Sequence, residues 1–180
     1  MDLSGQLINT LFKATTVLFN RSVSIEIPIT MKFVALVVAV LLPIAFADVI
    51  PVLKCGENVP EPVAVNIEGC SQIPCELGRG KDAVALVDFT VGSPVTALKP
   101  LVHAKALGVT VPFVLPEDRQ DACQWLQGTR CPLSAQEDVR YELRLPVQQA
   151  YPAIAVEVEL KLVDQDEQVV SCFKVQAKVV

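Results

Sequence analysis

The sequence is poor in the side chains that most often carry chemistry. Its 180 residues include one histidine, one tryptophan and two tyrosines. No serine or cysteine nucleophile motif lies near the lone His103, so we interpret it as a structural side chain rather than a catalytic base. The sequences G-x-S-x-G, H-E-x-x-H and the EF-hand calcium loop are also missing. We therefore predict no catalytic residue and no enzymatic activity.

The cysteines lack the spacing of a zinc site. Cys70 and Cys75, like Cys123 and Cys131, are not C-x-x-C pairs, and one histidine does not complete a mixed site. We therefore predict no metal and no cofactor.

The run Gly78–Lys81 combines two glycines with two basic residues. A phosphate-binding P-loop would require Ser or Thr after the lysine, and this chain has Asp82 there. We interpret the run as a turn.

Basic residues are fewer than acidic residues in this sequence. The chain has 15 Lys and Arg against 20 Asp and Glu, and residues 48–180 keep 12 of the basic and 18 of the acidic ones, a net charge of −6. Such a balance argues against nucleic-acid binding.

No apolar run is long enough to span a bilayer comfortably. Residues 31–47, MKFVALVVAVLLPIAFA, have a positive start, an apolar centre about half the length of a membrane span, and small residues before Asp48. This pattern predicts a secretory signal peptide cleaved after Ala47. Residues 1–30 are then a non-mature extension, and residues 48–180 form the mature domain.

All six cysteines follow the predicted cleavage point. An even number in a secreted chain indicates disulfides, and fifteen pairings are possible. The spacings favour two local bridges, Cys70–Cys75 and Cys123–Cys131, which leaves Cys55 and Cys172 to join the chain ends.

Short segments of alternating apolar and polar residues, separated by turn residues, follow each other along the mature chain. Since no amphipathic helix interrupts them, they predict an all-β antiparallel two-sheet sandwich of about seven strands. Pro112 and Pro116 restrict the fourth segment to a sheet edge or a strand end. The predicted segments are residues 63–68, 83–91, 101–107, 109–116, 138–147, 153–163 and 172–180.

The inward faces of these strands are rich in Val, Leu, Ile and Ala. Such a surface fits a filled core, which is the default, or the wall of an apolar cavity. A cavity would place bulky residues near its opening, and Phe113, Tyr141 and Tyr151 are the candidates.

Several motifs in order resemble the ML-domain lipid-recognition family, above all its secreted Niemann-Pick type C sterol carriers and their arthropod relatives, which include group-two mite allergens. The resemblance covers nearly all of residues 48–180. Its motifs are GCSQIPCELGRGK, LVHAKALGVTVPFVLPE, CQWLQGTRCP, RLPVQQAYPAIAVEVEL and VVSCFKV.

The resemblance implies an immunoglobulin-like sandwich with a lipid cavity between its sheets, and the same three disulfides. The mouth of the tunnel would be framed by Phe113, Pro146, Val147 and Tyr151, and Val111, Tyr141 and Leu145 would be wall residues. Leu160 and Phe173 stand where the sterol carriers have tryptophans, and Asp88 stands at their usual glycosylation position.

The function implied is that of a secreted, non-enzymatic carrier. It would bind a sterol or other apolar lipid, touch membranes transiently, and pass its ligand to a membrane or a sterol-transport receptor, outside the cell or in the lysosomal lumen. The alternative is an immune or chemosensory protein that binds bacterial glycolipid or fatty acid. Glycolipid phosphate would require basic residues at the rim, for which Arg144 is the candidate.

Overall fold

A computed structural model describes residues 49–180. The signal peptide and the extension predicted for residues 1–47 lie outside the described residues. Two short 3-10 helices, Glu117–Arg119 and Ala122–Trp125, are present, and no helix in the described part is long and apolar enough to cross a membrane. The strands are β1 (Ala64–Ile67), β2 (Cys75–Leu77), β3 (Lys81–Thr90), β4 (Lys99–Ala106), β5 (Val109–Phe113), β6 (Leu126–Gln127), β7 (Asp138–Val147), β8 (Ala155–Val163) and β9 (Val169–Val179).

The strands form two sheets. One has the order β1-β3-β7-β6 and the other the order β2-β9-β8-β4-β5. All seven predicted strands are present, so the sandwich prediction is confirmed. The structure adds β2 and β6, and β2 lies parallel to β9 rather than antiparallel. These two strands have three and two residues, which is too short for an alternating pattern to identify them.

Alternation sets which side chains enter the space between the sheets. On β7, Tyr141, Leu143, Leu145 and Val147 are buried, whereas the residues between them are more exposed. Because successive side chains on a strand point to opposite faces, one apolar face per sheet suffices to build the core. Burial of each such side chain contributes about 1.5–3 kcal/mol before entropy is subtracted.

The structure contains the three predicted disulfides, which confirms the pairing. Cys70 is bonded to Cys75, Cys123 to Cys131, and Cys55 to Cys172. The last bridge closes a segment of 117 residues and joins the N-terminal region to β9.

The residues before Cys55 connect the two sheets along one side. The Ile50 amide donates to the Val65 carbonyl of β1 over 2.9 Å, and Leu53 and Lys174 of β9 exchange two hydrogen bonds of 2.8 Å. Since β1 and β9 belong to different sheets, this segment fastens that side of the sandwich.

The opposite side of the five-stranded sheet ends at β5, which pairs only with β4. The prediction that Pro112 restricts this segment to an edge is confirmed, because the missing amide proton of proline costs nothing on a side without a partner.

Candidate functional site

A small cavity lies between the two sheets. Its volume is about 30 Å³, and its wall is almost wholly apolar. From the four-stranded sheet it is lined by Ile67, Ala83, Val84, Ala85, Leu143 and Leu145. From the five-stranded sheet it is lined by Cys75, Leu77, Val158, Leu160, Phe173, Val175 and Ala177.

Small side chains account for the position of this cavity. Ala83 and Ala85 lie beside Leu145 and Leu143 in the four-stranded sheet, and Ala177 faces inward from the other sheet. Alanine fills less space than valine or leucine, so the two inner faces do not meet completely here. A volume of 30 Å³ is large enough for one water molecule, but an apolar wall offers water no hydrogen bonds.

Leu145 is the one predicted lipid-binding residue that lines the cavity. Tyr141 and Val147 lie on the same inner face of β7 and are buried on either side of the cavity-lining pair Leu143 and Leu145. Burial raises the pKa of the Tyr141 hydroxyl well above its usual value. Pro146 is half-buried and, by strand alternation, belongs to the outer side of β7.

Phe113 lies on the inner side of the five-stranded sheet, at its edge. It pairs in register with Val102 of β4, which in turn pairs with Leu160, and Leu160 pairs with Phe173. Paired residues on neighbouring strands share a face, so Phe113 is in the same row as two residues of the cavity wall. At about 4.8 Å per strand, its Cα lies roughly 10 Å from that of Leu160. Phe113 itself is half-buried and lines a separate surface groove of about 230 Å³.

Val111 is more exposed than a wall residue would be. It belongs to the row of Ala104, Val158 and Val175, so its predicted direction agrees with the register. However, 51% of its surface is accessible. The reason is that β5 is an edge strand, which pairs with β4 alone.

Tyr151 follows β7 and is half-buried against the core. Its amide donates to the Gln148 carbonyl over 3.1 Å within the turn that connects β7 to β8. The structure thus places Leu145, Val147 and Tyr151 at one end of the sandwich and leaves Tyr141 further inside.

Most cavity residues were missed as site residues, although strand alternation marked them as inward. Leu160 and Phe173 are the clearest examples, because both were noted only as replacements for tryptophans, and they form a direct cross-strand pair in the wall. Alternation alone does not indicate where a core leaves a gap.

Charged side chains of the outer faces form pairs. Arg140 contacts both carboxylate oxygens of Asp88, at 2.6 and 2.8 Å, and the hydrogen bond to Asp88 raises the pKa of Arg140. Burial disfavours ionisation of Glu159, but hydrogen bonds and charge from Lys161 and Lys174 outweigh it and lower its pKa.

Arg144, the candidate rim residue of the glycolipid alternative, lies on the outer side of β7. Its Nε is 2.5 Å from Glu142 Oε1, and its guanidinium carbon is 5.7 Å from the centre of the Trp125 ring. Both partners hold it on the outer side of the four-stranded sheet.

One group of potential metal ligands occurs in the described part of the chain, formed by Cys55, Glu159 and Cys172. Both sulfur atoms belong to a disulfide. They are therefore not thiolates, the form in which cysteine binds metals.

Comparison with known proteins agrees with this architecture. Residues 49–179 match the family model described as the ML domain. The chain is 36% identical over 138 residues to NPC intracellular cholesterol transporter 2 homolog a of Drosophila melanogaster, covering 76% of this chain and 91% of that protein. It is 37% identical over 134 residues to NPC intracellular cholesterol transporter 2 of Danio rerio, covering 74% and 87%. The crystal structure of a Niemann-Pick type C2 protein from the Japanese carpenter ant has the same fold, with a TM-score of 0.64 at 24% identity, covering 72% of this chain and 99% of the other. The chain belongs to the ML-domain family.

Proposed function

We propose that this protein is a non-enzymatic lipid carrier that binds a sterol between its two sheets. The observation that carries the proposal is the apolar cavity enclosed by both inner faces. Relatives that share about a third of its residues are named as cholesterol transporters. The apolar wall and the relatives support the same ligand class independently.

The cavity has to expand when a sterol enters. Pockets for ligands of that size have volumes of about 300–1,000 Å³, against about 30 Å³ here. Its wall is made of aliphatic side chains and Phe173, whose contacts are non-directional, so they can repack without losing hydrogen bonds. Burial of a few hundred Å² of apolar ligand at about 25 cal/mol per Å² gives on the order of 10 kcal/mol, before association costs, to drive this expansion.

The apolar wall also fixes which end of the ligand enters. A hydroxyl group buried without a hydrogen-bond partner costs about 1–3 kcal/mol or more. The sterol hydroxyl therefore stays at the mouth, and the hydrocarbon end lies inside.

The row of residues from Phe173 and Leu160 through Val102 to Phe113 gives the expanded cavity a route to the surface. It leads from the cavity wall to the edge strand β5, on the side of the sandwich that the N-terminal segment does not fasten. We place the mouth between Phe113 and the end of β7, where Val147 and Tyr151 lie.

The test is a titration of residues 48–180 with a fluorescent sterol. Saturable binding is expected, with a dissociation constant in the micromolar range or below. In a second experiment, protein purified from its native tissue and extracted for mass spectrometry would distinguish sterol from fatty acid and glycolipid. A complete lack of saturable binding would contradict the proposal.

Phe113→Ala is expected to weaken sterol binding about tenfold, because it removes an aromatic ring from the mouth. Phe113→Leu keeps most of the apolar surface and should bind nearly as the wild type does. If the alanine variant bound sterol as tightly as the wild type, Phe113 would have no role at the mouth.

The β4–β5 hairpin has the surface expected for transient membrane contact. Residues 99–115 contain two lysines and no acidic residue, although the mature chain is acidic overall. Four large apolar side chains of the hairpin and the residue after it are exposed to solvent. They are Leu107 (88%), Val109 (63%), Val111 (51%) and Val114 (79%). Exposed apolar side chains with basic neighbours favour the interface of a bilayer.

Leu107→Asp is expected to slow sterol transfer to lipid vesicles about tenfold while sterol binding in solution stays unchanged, because it removes apolar surface from the hairpin tip. Leu107 has a positive φ of 51°, which aspartate tolerates better than most residues. Val63→Asp is the matched control, since Val63 is 72% exposed beside the other sheet. Equal slowing by both variants would contradict a specific role of the hairpin.

The three disulfides support a luminal or extracellular site of action, because such bonds persist in oxidising compartments. A carrier must release its ligand. We therefore propose that the protein transfers its sterol either to a membrane or to a membrane receptor.

A further inference from the structure

The run Gly78–Lys81 lies between two residues that line the cavity. Leu77, directly before it, and Ala83, two residues after it, both line the cavity. The loop between them therefore crosses from the five-stranded to the four-stranded sheet beside the cavity. Lys81 pairs in register with Val147, and strand alternation places it on the same side of β3 as Ala83.

The backbone of this loop is fixed by contacts that join several segments. The Gly80 amide donates to the Val147 carbonyl over 2.7 Å. Arg79 donates from its side chain to the main-chain oxygens of Val180, at 3.2 Å, and Tyr151, at 3.4 Å. The loop is thereby held beside Val147 and Tyr151, the end at which the mouth is proposed.

Two glycines make room for polar side chains that lie over the loop. A Cβ atom on Gly78 would be 2.3 Å from Cε and 3.1 Å from Nζ of Lys81. A Cβ atom on Gly80, where φ is +77°, would be 2.8 Å from Oε1 of Gln149. Side chains at these two positions would displace the lysine and the glutamine, so the two glycines leave room for these side chains over the loop.

The ammonium group of Lys81 has no carboxylate partner within ion-pair distance among residues 49–180. The adjacent carboxylate, Asp82, belongs to the outer side of β3 and is held 2.9 Å from Arg119. A cation at the end of an apolar cavity, without an anion of its own chain, is suited to an anion brought by a ligand.

We propose that Lys81 binds an anionic group at the polar end of the lipid. The ligand class is an amphiphile with a carboxylate, sulfate or phosphate ester at the end that stays outside the apolar wall. This inference rests on the proposed function, because it assigns a head-group site to the same cavity. It also gives the Gly78–Lys81 run a role beyond that of a turn.

The test compares cholesterol with cholesterol sulfate, which differ only in the head group, in solution without vesicles so that membrane lipids do not contribute. The wild type is expected to bind the sulfate about fivefold more tightly, and the preference should shrink as salt is added. Lys81→Gln should abolish the preference and leave cholesterol binding unchanged. Lys81→Arg should keep it.

Lys105→Gln is the matched control, because Lys105 is also exposed and the charge change is identical, but alternation places it on the outer side of β4. It should keep the wild-type preference. Cholesterol binding without a preference for the sulfate, or a preference that persists in Lys81→Gln, would overturn this inference and leave the proposed function intact. Lack of binding of either sterol would contradict both.

Discussion

Ala83→Phe is expected to reduce sterol binding by about tenfold or more, because its ring would occupy the cavity that the ligand has to enlarge. Ala83 lies on the cavity wall beside Leu145 and is only half-buried, so the larger side chain can be accommodated without unfolding the sandwich. The measurement is a fluorescent-sterol titration, together with a denaturation curve that shows whether the fold is retained.

Ala155→Phe is the control for this prediction. Ala155 is exposed at the start of β8, and the same substitution there adds a ring outside the cavity. Sterol affinity of Ala83→Phe equal to that of this control would show that the ligand binds elsewhere.

Removal of the Cys55–Cys172 disulfide by a double alanine substitution is expected to lower the free energy of unfolding by about 4–5 kcal/mol. The bridge joins residues 117 positions apart, so its loss returns much conformational entropy to the unfolded chain. It also frees the N-terminal segment that fastens β1 to β9. Chemical denaturation under oxidising conditions measures the change.

The Cys123–Cys131 bridge provides the comparison. It closes a segment of only eight residues, and its removal should cost about 2.5 kcal/mol in the same chain-entropy model. If the two double variants lost equal stability, the length of the closed segment would not be the dominant factor.

The seven longer strands of this protein were predictable because each of them repeats a simple pattern. On β8, inward Val158, Leu160 and Leu162 alternate with Glu157, Glu159 and Lys161, and a period of two identifies both the strand and its buried face. The short strands β2 and β6 do not contain enough residues for such a period, and the structure alone revealed them.

Side-chain direction was easier to predict than burial. The parity of Val111 and Phe113 agrees with the register, yet Val111 is half exposed, since burial depends on how far the opposite sheet extends. The position of a charged side chain was equally hard to predict, as Arg144 shows. The sequence placed it near the predicted mouth, but Glu142 and Trp125 hold it on the outer face.

The family resemblance identified a small set of mouth residues and left most of the wall unnamed. Wall residues such as Ala83 and Ala85 of β3 and Ala177 of β9 come from two strands that are far apart in the chain. Nothing local distinguishes an alanine beside a gap from an alanine in a filled core.

The sequence by itself determined the sandwich class and the inner face of each long strand, because strand alternation is a local property of the chain. Cysteine spacing favoured the two local disulfides, which left Cys55 and Cys172 as the third pair. Only the tertiary structure decided where the inner faces fail to meet, which apolar side chains stay exposed on the β4–β5 hairpin, and that Lys81 stands at the end of the cavity. These features depend on how the two sheets pack against each other. Their strands are distant in sequence, so no local pattern in either sheet shows how the two fit together.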